Sequence, residues 1–238
     1  MKDNEKNEEE KNEEDISSFP KLIKVTDNSS SHKYIFRICL LGDSGVGKTS
    51  LLTRYCDSIF KDKYSNTIGV DFRVVTLKYK DILTKIHIWD TAGQERFKSI
   101  AVNYFRTSNG FIFCFDITQK KSFDNVKKWV ELAFSNNDSN KVNFLIGNKM
   151  DLNYKREVDI EEAENFAKTN KFTYLETSSK ENTNVEKVFE FFTYKLIYYF
   201  QKNQDKYEVS QGERLTEAND ISIDEDSNEN NKKSGCIC

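Results

Sequence analysis

Eight consecutive residues carry the clearest chemistry in the chain. Gly42-Asp43-Ser44-Gly45-Val46-Gly47-Lys48-Thr49 place glycines, a lysine and a hydroxyl at the spacing G-x-x-x-x-G-K-[ST]. Glycines at these intervals let the backbone wrap tightly, so that successive N–H groups converge on one phosphate chain, and a following helix adds the positive end of its dipole. Lys48 is placed to neutralise β- and γ-phosphates, and the Thr49 hydroxyl to ligate Mg²⁺. Ser50, next in line, is counted with Asp43, Ser44, Gly45, Val46, Gly47, Lys48 and Thr49 among the nucleotide contacts. Such a loop by itself names neither the base nor the reaction.

Two further stretches supply the metal and the base. Asp90 ends an apolar run and begins Asp90-Thr91-Ala92-Gly93-Gln94. An acidic residue there can hold Mg²⁺ through water, and Gly93 offers an unobstructed N–H to a γ-phosphate. Asn148-Lys149-Met150-Asp151 ends another apolar run, and Glu176-Thr177-Ser178-Ser179-Lys180 ends the next. The Asp151 carboxylate can accept two hydrogen bonds from the N1–H and N2–H₂ edge of guanine. Adenine offers no such pair, and a mispaired buried carboxylate is penalised by roughly several kcal/mol. The stems of Lys149 and Lys180 can cover the flat base, and the Ser179 N–H can meet guanine O6.

The elements that position these residues follow from periodicity. Tyr34–Leu41 reads as a buried strand entering the glycine loop, and Thr49–Tyr55 as the helix leaving it. Residues 73–79 and 83–89 alternate apolar and polar about a turn at Lys80-Asp81, which predicts an antiparallel hairpin. Beyond it, apolar strand-like runs at 110–116, 142–147 and 172–176 alternate with helical patterns at 123–134, 160–169 and 185–200. The prediction is an α/β domain, a mainly parallel six-stranded sheet with helices on both faces and the ligand at the C-terminal strand ends. The glycine loop, Asp90 and both base loops fall on that edge.

Composition limits the remaining choices. The 238 residues suit one domain with tails, and a net charge of −3 argues against nucleic acid as a partner. Residues 1–33 are acidic and then Ser- and Asn-rich, and are expected to be disordered; residues 34–200 form the domain; residues 201–238 form a polar tail. No apolar run approaches a membrane span, the first residues lack a signal-peptide core, and Lys2 excludes N-myristoylation, so a cytosolic protein is expected. Of the five cysteines, Cys39, Cys56 and Cys114 read as small buried hydrophobes, whereas Cys236 and Cys238 end the sequence. His32 and His87 have no partner at a catalytic spacing.

Residues 34–200 resemble a small GTPase of the Ras superfamily, specifically of the Rab family. The motifs stand in family order: Gly42–Thr49, Thr67, Asp90-Thr91-Ala92-Gly93-Gln94, Asn148-Lys149-Met150-Asp151 and Ser178-Ser179-Lys180. Ile68-Gly69-Val70-Asp71-Phe72, the run from Trp89 to Phe97 and the cysteine ending set it apart from Ras, Rho and Arf relatives. The resemblance implies the P-loop small GTPase fold, GTP and GDP as ligands with Mg²⁺, and hydrolysis of GTP that is slow without an activating protein. It implies that Phe60 stacks on guanine, Thr67 joins Thr49 and Asp90 at the metal, and Gln94 orients the attacking water. Ile68, Phe72, Trp89 and Tyr104 are then the effector surface, and the loops around Thr67 and Gly93 the two switches.

It also implies Cys-x-Cys prenylation at Cys236 and Cys238. The protein is then a monomer cycling between cytosol and the cytosolic face of an endomembrane, where it regulates vesicle traffic. Its partners are effectors, an exchange factor, an activating protein, a prenylation escort and a GDP-dissociation inhibitor. Three features depart from family habit: Thr107-Ser108 after Tyr104-Phe105-Arg106, Ser179 in place of alanine, and the long acidic N-terminal extension. Two other classes share the glycine loop. A phosphoryl-transferring kinase leaves Asn148–Asp151 unexplained, and a non-switching nucleotide-bound adaptor leaves Thr67 and Gln94 unexplained.

Overall fold

The computed structural model describes residues 19–26, 32–62, 70–91, 104–135 and 141–203. The sheet is organised around β2 (Tyr34–Leu41), whose sequence YIFRICLL buries its last four side chains completely. β2 lies parallel between β4 (Ile82–Thr91) and β5 (Gly110–Asp116). β5 carries seven buried residues in a row, the continuous apolar run that a strand covered on both faces requires. Outward from it, β6 (Val142–Asn148) and β7 (Thr173–Thr177) add in parallel. On the other side, β3 (Val70–Tyr79) pairs antiparallel with β4 through the turn at Lys80-Asp81, as the alternation predicts.

Side-chain alternation sorts the core into two layers. From β2, Phe36, Ile38 and Leu40 point to one face, where α1 (Lys48–Asp57) and α5 (Val185–Lys202) supply Leu51, Leu52, Val188, Phe189 and Phe192. Cys39 and Leu41 point to the other face, toward Val126 and Trp129 of α3 (Val126–Phe134) and Ala163 and Ala167 of α4 (Ile160–Asn170). Cys39 and Cys114 are fully buried, and burial pushes each thiol up to about 12. Cys56 is half-buried. The helix expected over 123–134 is divided: α2 (Lys120–Asp124) precedes α3, and Asn125 between them turns its side-chain amide onto Asp43.

The N-terminal extension corrects two expectations. Residues 19–26 are not disordered, and the sheet has seven strands instead of six. β1 (Ile23–Lys24) pairs antiparallel with β3, Ile23 opposite Lys78 and Lys24 opposite Leu77, and the Val25 N–H donates to Thr76 O at 3.0 Å. The reason is local. Phe19 and Leu22 are apolar residues in a polar stretch, and each finds a deep contact. Leu22 is 1% exposed, and the Phe19 ring lies 5.0 Å from that of Phe191 in α5. Lys24 sets its ammonium 3.7 Å from the centre of the Tyr55 ring and donates to the Tyr55 carbonyl. The strap therefore joins β3 to both helices of one face. Its loss is measurable: Leu22→Ala should cost about 2–5 kcal/mol, the ordinary range for a buried leucine, read as a lower midpoint in chemical denaturation of the nucleotide-loaded protein. A change below about 0.5 kcal/mol would mean that the strap is not part of the folded core.

Candidate nucleotide site

The chain between β2 and α1 turns at the C-terminal edge of the sheet, and its geometry depends on glycine at two points. Gly42 has φ 145°, and a Cβ there would sit 2.2 Å from the Cys114 carbonyl oxygen. Gly47 has φ 98°, with the Asn148 amide 3.4 Å from where a Cβ would be. An L side chain at either position is strained whatever the space available. Val46 turns its side chain into the core and is fully buried, which anchors the loop from below. Lys48 folds back over the loop and donates to the carbonyls of Gly42 and Asp43, both at 2.8 Å. Burial lowers its pKa, with the Asp90 charge acting in the opposite direction.

Asp43, by contrast, turns its carboxylate away from the loop's mouth. It accepts from Trp129 Nε1 at 2.8 Å and from Asn125 Nδ2 at 2.7 Å, so its side chain ties the loop to α3, and only its main chain faces Lys48. This anchoring pair, Asn125 and Trp129, has no spacing signal in the sequence.

Parallel pairing puts Asp90, near the end of β4, opposite Leu40 of β2. Thr49 Oγ1 donates to Asp90 Oδ2 at 2.5 Å, while Asp90 Oδ1 is buried with no hydrogen-bond partner. Burial pushes this carboxyl up to about 6, against the lowering effect of Thr49 and Lys48. An orphaned buried carboxylate oxygen beside a hydroxyl is a pair of hard oxygen donors, the chemistry Mg²⁺ takes when phosphate oxygens and water complete its shell. The residues fit the ion.

The base loops are braced to each other. Asn148 Nδ2 donates to Val46 O at 2.9 Å, and Asn148 Oδ1 accepts from Thr177 Oγ1 at 2.5 Å. Ser178 Oγ donates to Asp151 Oδ1 at 2.7 Å and accepts from the Glu181 N–H at 3.0 Å. That relay fixes the rotation of the Asp151 carboxylate, and Asp151 lines the cavity. Lys149 adopts φ 68° and sets its ammonium 2.6 Å from Asp116 Oδ2. Its head is thereby held, leaving the stem to line the cavity. Asp116 went unnoticed in the sequence, although it ends the apolar strand β5 as Asp90 ends the apolar run of β4. Behind the loops, Arg156 grips Glu176 through both Nη atoms at 2.7 Å, and the Tyr174 hydroxyl donates to it at 2.6 Å. Burial alone would raise the Glu176 carboxyl, but these bonds outweigh it and hold it below its ordinary value.

Together these segments enclose a cavity of about 370 Å³. Ser44, Gly45, Gly47, Lys48, Thr49 and Ser50 line its phosphate end; Phe60, Asn148, Lys149, Asp151, Ser179 and Lys180 line its far end. Thr53, Ile59, Lys61, Asp62 and Leu152 complete the wall, none of them marked by a motif. Phe72 of β3, Trp89 of β4 and Tyr104 form a row, with ring centroids 4.3 and 4.4 Å apart. Thr67, Ile68, Gly93, Gln94, Cys236 and Cys238 lie outside the described residues.

Comparison with known proteins agrees with this geometry. Residues 37–198 match the model of the Ras family. The GTP-binding protein YPT1 of Saccharomyces cerevisiae is 44% identical over 161 residues, which is 68% of this chain and 78% of the yeast protein. Ras-related protein Rab-1 of Theileria parva is 44% identical over 159 residues, covering 66% of this chain and 72% of that one. Ras-related protein Rab-8B of Pongo abelii is 42% identical over 161 residues, covering 68% and 78%. With its glycine loop, Asp90 and the Asn148–Asp151 and Ser178–Lys180 loops gathered at one sheet edge, the chain belongs to the Ras family, as a small GTPase of the Rab type.

Proposed function

We propose that the cavity binds GTP or GDP with Mg²⁺ in a defined order along its length, guanine against Asp151 and phosphates against Lys48. The observation that carries this reading is the Ser178–Asp151 relay at one end of a cavity whose other end is the glycine loop. As a Rab-type GTPase the chain hydrolyses GTP and switches in vesicle traffic; the roles of single residues are proposals. Guanine N1–H and N2–H₂ donate to Asp151, the Ser179 N–H meets O6, and Phe60 with the stems of Lys149 and Lys180 covers the ring faces. Ser178 positions Asp151, and Asn148 positions the loops.

Hydrolysis in such a site is positioning and electrostatics, with no covalent intermediate. Gln94 orients the attacking water. Lys48, the loop N–H groups and Gly93 N–H stabilise charge developing on the phosphate oxygens. Thr49, Thr67 and Asp90 would hold Mg²⁺, which would supply further neutralisation of phosphate charge. Phe72, Trp89 and Tyr104, with Ile68, offer effector proteins an aromatic surface that is coupled to the metal site through β3 and β4. Regulators of the kinds the family uses, an exchange factor, an activating protein, an escort and a dissociation inhibitor, are the remaining partners. Cys236 and Cys238 are proposed as prenyl attachment sites for reversible association with the cytosolic face of an endomembrane. No helix among the described residues is long and apolar enough to cross a membrane.

Two measurements test the chemistry. Gln94→Leu should slow single-turnover GTP hydrolysis by about tenfold or more while GTP affinity stays within about threefold; equal turnover in variant and parent would remove Gln94 from the reaction. Below about 6, the value to which burial pushes the Asp90 carboxyl, Mg²⁺ competes with a proton for it. Affinity for Mg²⁺ is therefore full above that pH and falls as pH drops through it, whereas Asp90→Asn binds the ion more weakly with a flatter profile. A parent profile as flat as the variant's would take Asp90 out of the metal site.

A further inference from the structure

Arg54 lies in the last turn of α1, where a basic side chain ordinarily does no more than bond the helix's own final carbonyls. One of its donors does so: Nη1 reaches Ser58 O at 2.9 Å. The other two leave the helix. Nε donates to Ser179 O at 2.7 Å and Nη2 to Lys180 O at 3.2 Å, across 125 and 126 positions of sequence. The same guanidinium lies over the Phe60 ring, its carbon 5.8 Å from the ring centre. One planar cation thus joins the segment leaving α1, which carries Phe60, to the loop after β7, which carries Ser179 and Lys180.

From this geometry we propose that Arg54 is a positioning residue for the base, a clamp that sets how long a guanine nucleotide stays bound. The proposal rests on the reading of Asp151, Ser179 and Phe60 as the base site. Arg54 itself does not line the cavity. Its grip on the Ser179 and Lys180 carbonyls fixes the two peptide planes that follow the N–H group aimed at O6. Its contact with the Phe60 ring reaches the opposite wall, so one side chain touches both sides of the base site. Guanidinium suits the task because its fork presents donors in three directions within one plane, whereas an ammonium is a single point. Every acceptor in the clamp is a main-chain carbonyl, so serine at position 179 serves as well as alanine.

The test is the release of fluorescent methylanthraniloyl-GDP from the full chain in the presence of Mg²⁺, compared among the parent, Arg54→Ala, Arg54→Lys and Asp151→Asn. Arg54→Ala should release the nucleotide at least about tenfold faster, the scale expected when hydrogen bonds from a charged donor are lost. Arg54→Lys should fall between it and the parent. Single-turnover hydrolysis of GTP already bound should stay within about twofold, since Arg54 touches no reacting atom. Release within twofold of the parent for Arg54→Ala, while Asp151→Asn accelerates it, would overturn the clamp and leave the base site standing. Unchanged release in Asp151→Asn would overturn the base site and the clamp with it. Hydrolysis slowed as much as release is accelerated would show general loosening of the fold, and would also overturn the proposal.

Discussion

The arrangement of this molecule depends on the side-chain amide of Asn148. Buried at the end of β6, it donates to Val46 O in the phosphate loop and accepts from Thr177 Oγ1 at the end of β7, so both of its polar ends are satisfied away from water. Three strand ends, those of β6, β7 and β2 with its glycine loop, are thereby locked at fixed spacing. The lock in turn constrains Gly47, which must approach the amide closely and adopts φ 98° to do so. Parallel strand order supplies the rest, because β2, β4, β5, β6 and β7 all end on the same edge.

Electrostatics at the phosphate end follow from burial. Lys48 and Asp90 are each nearly excluded from solvent, and each is pushed toward its neutral form. Phosphate charge favours the Lys48 cation, and a divalent ion favours the Asp90 anion. On the proposed assignment, binding of nucleotide and metal would be linked to the protonation of these two groups and to the stability of the domain around them. At the base end the logic differs. There the Asp151 carboxylate is held by a neutral relay from Glu181 N–H through Ser178, so its placement is a matter of hydrogen-bond direction more than of field.

How far the sequence revealed this can be judged residue by residue. The glycine loop, Asp90, the Asn148–Asp151 run and the Ser178–Lys180 run were readable because each is contiguous and follows an apolar strand, and the structure gathers them at one edge. Strand and helix limits from Tyr34 to Lys202 were readable to within a few residues because periodicity is strong in a two-sided core. What stayed hidden depends on contacts between distant segments. Arg54 reaches Ser179 across 125 positions, Asp43 is held by Asn125 and Trp129, and Lys149 is anchored by Asp116. No spacing rule marks such pairs. The strap was hidden for another reason: Leu22 and Phe19 are apolar residues in a stretch whose average composition is that of a solvated tail, and only their burial against α5 and β3 reveals them.

The most direct test of the account is competition at the cavity between guanine and adenine nucleotides. With labelled GDP bound in the presence of Mg²⁺, unlabelled GDP and ADP are titrated against it. In the proposed role, Asp151 held by Ser178 accepts from two adjacent donors that guanine has and adenine lacks, and GDP should then displace the label at concentrations lower by about a thousandfold or more. Displacement by ADP at similar concentrations would contradict the assignment of Asp151 to the base, and with it the direction in which the nucleotide lies along the cavity.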